Sequence, residues 1–208
     1  MKRILIAVAA MLSLNACALT VDEVDLAYKQ QPNVVTIGGA DAVKVQVTAN
    51  EARASNRDRI SVKKNGYGME MAAIVPKQRV PDHVAEAINT ELKARGFSLA
   101  QGGVFVLVDV NKFWSDFKLG FFVSQAIGEV MLNTQVINAG GKVFYSRTYV
   151  AEYVVPDVMI FGGENAKQAV DGALAKAVAD MMADQYFIQA LIDAQRGLPV
   201  AGAGAPTS

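Results

Sequence analysis

One cysteine, one histidine and one tryptophan occur in 208 residues, beside only six prolines. A single thiol forms no internal disulfide. The lone His83 has no cysteine partner or second imidazole with which to share a metal, and no second histidine exists to activate a serine nucleophile. No serine stands in a G-x-S-x-G elbow either. Net charge is also missing: 20 basic residues balance 20 acidic ones, so nothing favours nucleic acid, which needs clustered Lys and Arg. The N-terminal apolar run, residues 4–14, is about half the ~20 residues of a membrane-spanning helix. These absences exclude the commonest catalytic and metal-binding sites, and no cofactor or metal is expected.

That apolar run is informative for what surrounds it. It follows Lys2 and Arg3 and ends in Leu14-Asn15-Ala16-Cys17. A positive start, an apolar middle and a small residue before the cut make a secretory signal over 1–16. A cysteine in the first mature position makes it resemble a bacterial lipoprotein signal. The resemblance implies acyl chains on Cys17, and several such chains anchor a protein durably where one does not. Ala18 in place of an aspartate implies, by the same resemblance, sorting to the outer membrane with the body facing the periplasm. Removing Lys2 and Arg3 from the 20 basic residues leaves 18 against 20 acidic ones, a slightly acidic mature chain.

Residues 17–39 read as the lipidated N-terminus and a linker, with Gln30-Gln31-Pro32 and Gly38-Gly39 as breakers. A single folded domain is expected over 40–196, and the Gly, Ala and Pro of 197–208 read as a disordered tail. Val43, Val45 and Val47 alternate with polar residues, the pattern of a half-buried strand. Residues 59–64 and 67–75 read as strands around Asn65-Gly66, a tight-turn dipeptide. Pro81 and Asp82 open a helix with Asp82 as its cap, Glu86 and Glu91 toward water and Gly96 as its stop. His83 is expected to be solvated in its first turn. Residues 104–108 are apolar on both alternation sets, and two long strands over 121–137 and 142–155 join at Asn138-Ala139-Gly140-Gly141. A stripe from Ala166 through Leu174 to Met181 defines a second helix, continuing past a bend near Gln185. The order β-β-β-α-β-β-β-α predicts an α+β, two-layer sandwich: a mainly antiparallel sheet with two helices packed on one face.

The stretch 57–68, reading Arg-Asp-Arg-Ile-Ser-Val-Lys-Lys-Asn-Gly-Tyr-Gly, then Ala73-Ile74, resembles the YajG family of bacterial outer-membrane lipoproteins. So do Val84 to Phe97, ending in Arg95-Gly96-Phe97, and Ala177 to Met181. Many members carry Asp-x-Arg after the first strand; here Glu51 and Arg53 stand in for it.

Asp109, Asp116 and Glu129 are acidic residues on strands, expected at solvent-facing positions rather than as an acid–base pair. A sharper candidate is the aromatic run Phe113, Trp114, Phe117, Phe121 and Phe122, expected around one hairpin tip with part of it exposed as an interaction surface. The resulting expectation is a non-enzymatic outer-membrane lipoprotein, whose periplasmic domain binds an envelope protein or self-associates. The alternative is an auxiliary lipid- or glycan-binding component of an envelope transport system.

Overall fold

A computed structural model describes residues 19–120 and 124–197. The signal segment, Cys17, Phe121, Phe122 and 198–208 lie outside the described residues. Eight strands run in the order β1 (Asp22–Val24), β2 (Lys44–Glu51), β3 (Ser61–Lys64), β4 (Glu70–Pro76), β5 (Ser98–Leu99), β6 (Val104–Lys118), β7 (Gln125–Ile137) and β8 (Val143–Val155). Three α-helices accompany them among the described residues: α1 (Val80–Ala94) between β4 and β5, then α2 (Gly163–Ala183) and α3 (Gln185–Arg196) after β8.

The main sheet has the order β5-β2-β6-β7-β8. Strands β6, β7 and β8 are antiparallel, while β2 runs parallel to β6 and to β5. The expected mainly antiparallel sheet holds in its two longest pairings, with β2 adding parallel ones. The chain leaves β2, builds a small sheet β1-β4-β3, and returns through α1, a crossover that sets β6 parallel to β2. The small sheet leans on the far half of β6, where Ser115 N–H donates to Ile60 O at 2.8 Å and Ser61 Oγ donates to Ser115 O at 2.8 Å.

One face of the main sheet carries the core. Val45, Val106, Val130 and Leu132 meet Val84, Ile88 and Leu92 of α1, Leu174, Val178 and Met181 of α2, and Phe187 and Leu191 of α3. Each fully buried side chain of this size contributes ~1.5–3 kcal/mol. The fold is α+β with two layers, and the second expected helix is two, because Asp184 breaks it and caps α3 by accepting Tyr186 N–H at 2.9 Å.

Both hairpin loops share one construction. Asn65 Oδ1 accepts the N–H groups of Tyr67 and Met69, and Asn138 Oδ1 accepts those of Gly140 and Lys142. The left-handed residues are Gly68 (φ 82) and Gly141 (φ 80), so Asn65-Gly66 is not itself the turn centre. Helix α1 begins after Arg79 with no side-chain cap, and Asp82 lies inside its first turn beside Arg79, not at the cap.

The linker reading of 17–39 is corrected for its described part. Strand β1 pairs in parallel with Ile74–Pro76, and Val24 and Leu26 are buried. Gln78 holds Leu26 through both its amide atoms, and Gly163 N–H donates to Asp22 Oδ2 at 2.8 Å. Glu91, expected on the wet side, is 0 % exposed. It accepts Tyr28 O–H and Gln31 N–H at 3.0 and 2.8 Å and pairs with Arg95. Residues 22–31 are thus a strap tied across α1 and α2.

Candidate functional site

Of the aromatic run, the described members Phe113, Trp114 and Phe117 lie along strand β6 and not at a hairpin tip. Phe113 and Phe117 are fully buried, Phe117 against Phe161 with ring centroids 5.4 Å apart. They are withdrawn from the candidate surface. Trp114 lies on the opposite, open face and is half-buried, in register with Glu129 of β7. A bulge at Val110/Lys112 explains the arrangement. Inward positions are Val104, Val106, Val108 and Val110 before it, and Phe113, Ser115 and Phe117 after it, because one inserted residue shifts the phase of the pleat.

The acidic residues expected toward solvent each have a partner: Asp109 accepts from Asn50, Asp116 pairs with Lys64 at 2.5 Å, and Glu129 pairs with Lys112 at 2.7 Å. Among the described residues no group of His, Cys, Asp and Glu is placed to hold a metal, and no helix is long and apolar enough to cross a membrane.

The Glu51-x-Arg53 pair proves to be a structural clamp. Arg53 is buried and grips Glu51 with Nε and Nη2 at 2.8 and 2.6 Å. Its remaining N–H groups donate to the carbonyls of Asn56, Arg57, Arg59 and Phe113. Burial pulls the Glu51 carboxyl upward, but the Arg53 hydrogen bonds outweigh it and leave its pKa below the ordinary value.

His83 is also buried, correcting its expected solvated position. Its Nε2 lies 3.8 Å from Asp171 Oδ1, and neither atom has a hydrogen-bond partner. Burial lowers the His83 pKa against the pull of Asp171 and Glu86, with Lys167 adding to the fall. Burial raises that of Asp171 against Lys167 and the Ala27 N–H. The folded state therefore holds neutral His83. Its contribution is fully present above the unfolded histidine pKa of about 6.5 and is lost as pH falls below it toward the lower folded value. Asp171 acts oppositely at lower pH, so the diagnostic quantity is a difference. Denaturant melts of wild type and His83→Gln should diverge between about pH 7 and pH 5, with only wild type losing stability through His83. Parallel curves would refute the assignment.

Two surface features remain. The first is a polar cleft of about 680 Å³ where α2 breaks into α3. There Asp184 Oδ2 accepts Tyr145 O–H, Arg147 Nη1–H and Tyr149 O–H at 2.5, 2.6 and 3.1 Å. Burial raises both tyrosine pKa values, and the Asp184 carboxylate adds to it. These bonds satisfy one another and make the cleft a helix joint.

The second is the outer edge of β8. Thirteen residues long, it ends the sheet, and among the described residues no strand pairs with that edge. Val150 is 63 % exposed, and Val143, Tyr153 and Val154 are also exposed. Beside the edge runs a groove of about 520 Å³ along the flank of α2. Sequence reasoning found β8 as a strand but not as an edge, because alternation reports faces and not neighbours.

A sequence-family model described as uncharacterized lipoprotein matches residues 31–192. No curated protein matches the chain. Among solved structures, a Xanthomonas campestris protein shares 16% identity at a TM-score of 0.56, covering 84% of this chain and 98% of that one, which shows a common fold. A minor lipoprotein from Acinetobacter baumannii gives 8% identity and a TM-score of 0.40, covering 68% of this chain and 94% of that one. A lipoprotein from Neisseria meningitidis gives 10% and 0.31, covering 68% and 98%.

Proposed function

The chain belongs to the uncharacterized-lipoprotein family, and on that premise we propose a non-enzymatic outer-membrane lipoprotein of YajG type, anchored through acyl chains on Cys17. Its periplasm-facing body binds an envelope protein or a second copy of itself. The observation that carries this reading is the unpaired edge of β8, a row of backbone donors and acceptors beside exposed Val150 and Val154. Proteins that stay monomeric blunt such edges with charge, proline or brevity. Here thirteen residues of β8 carry two charges, Arg147 and Glu152, and Lys176 Nζ donates to Glu152 O at 2.7 Å. Acyl tethering would concentrate the body at one surface, so that weak contacts become productive.

The test uses the full chain in cells, with a photo-crosslinking residue at Val150 and another at exposed Tyr67 as control. Discrete adducts from position 150 alone, lost when Val154→Lys is added, are expected, along with palmitate incorporation that Cys17→Ala abolishes. Wild type that takes up no label defeats the anchor, and equal adducts from both positions defeat the surface.

A further inference from the structure

The groove beside β8 specifies what kind of chain the edge would take, an inference that rests on the reading above. One wall is the strap at Ala27 and Lys29; the other is Tyr153 of β8. The floor is Ala175 and Ala179 on one flank of α2, with Gly172 beneath the Tyr153 ring. Glycine is required at 172, because a Cβ there would stand 2.4 Å from the Tyr153 ring. The floor admits only slender side chains. Lys176 lines the groove and also reaches the Glu152 carbonyl, so the groove and the strand edge meet.

The charge around it is uneven. Lys29, Lys167 and Lys176 stand on the walls against Glu164 and Asp171. Asp171 is taken up by Lys167 at 2.7 Å, while among the described residues no ion pair joins Lys29, Lys176 or Glu164, which leaves the groove one net positive charge. An extended peptide would satisfy both features at once. Its main chain would hydrogen-bond to β8, and its alternate side chains would fall on the Ala175–Ala179 floor. We propose that β8 and this groove receive an extended, acidic segment of a partner protein, carrying small side chains and adding a sixth strand to the sheet. A second copy of β8 fits less well, since its charges are only Arg147 and Glu152. An acyl chain would fill the groove and leave the edge unpaired.

The probe is a fluorescein-labelled peptide, Glu-Val-Ala-Val-Ala-Val-Glu, titrated by anisotropy against the full lipidated chain in a neutral detergent. Controls are a version with Lys at both ends and one with a central Pro. The acidic peptide should bind at least tenfold tighter than either control. Ala175→Leu should weaken it tenfold or more, and Lys29→Glu should reverse the preference between acidic and basic versions, with unchanged thermal melts verifying the fold. Equal binding of acidic and basic peptides, indifference to Ala175→Leu, or displacement by dodecanoate with the same variant pattern would overturn the proposal. Val150 crosslinks that persist in cells carrying both variants would sink the groove while sparing the broader reading. Their absence from wild type would sink both.

Discussion

Replacing Arg53 with alanine is expected to destabilise the fold by about 3 to 5 kcal/mol, the range for removing one partner of a buried ion pair. The structure says why the loss is large. Alanine would strand the Glu51 carboxylate and deprive the carbonyls of Asn56, Arg57, Arg59 and Phe113 of a common donor. Arg53→Lys keeps the charge but not the planar fork, and should recover part of the loss. The double variant Glu51→Leu/Arg53→Met separates the contributions. Were the ion pair the whole matter, an apolar replacement would be nearly neutral; the Asn56 carbonyl keeps the Arg59 N–H, but those of Arg57, Arg59 and Phe113 lose the Arg53 donor, which predicts a further ~1–3 kcal/mol of destabilisation for each group that finds no water. Urea unfolding midpoints at fixed m-value measure all three. A single Arg53→Ala costing under about 1 kcal/mol would show that the clamp is only local.

Gly128→Val should be nearly as damaging, for a steric reason. Gly128 sits in β7 where α2 crosses the sheet, and an added Cβ would lie 2.0 Å from Ala169 O and 2.7 Å from Val170 N. The obstacle is helix backbone, which cannot rotate aside as a side chain can. Overpacking a core ordinarily costs about 1 to 3 kcal/mol, occasionally more; lifting a 21-residue helix belongs at or above the top of that range. Gly128→Ala should already show most of the effect, because the first carbon makes the clash. A thermal melt within 2–4 °C of wild type, the shift roughly equivalent to 1 kcal/mol, would refute the close packing.

The legible parts of the fold were those written in local periodicity. Val43, Val45 and Val47 announced β2, and the Ala166-to-Met181 stripe announced α2. The misread parts depended on something periodicity does not carry. The β6 bulge reversed the phase of the pleat, so Phe113 and Phe117 joined the core although their neighbourhood looked like a turn. The strap had a period-two signal in Val24, Leu26 and Tyr28, obscured by Gln30-Gln31-Pro32. Glu91 was misplaced because its burial depends on Tyr28 and Gln31, some 60 residues away. The edge position of β8 was not legible either, since strand neighbours are decided by the whole chain.

The strap also decides how the body would ride on its membrane. With β1 already fixed at Asp22, only four residues separate it from an acylated Cys17, five Cα steps with a reach of roughly 17 Å at full extension. So short a leash would restrict rocking of the body about such an anchor. A protein docking along β8 would then meet a body held at nearly constant height and tilt, and its own anchoring point would have to match.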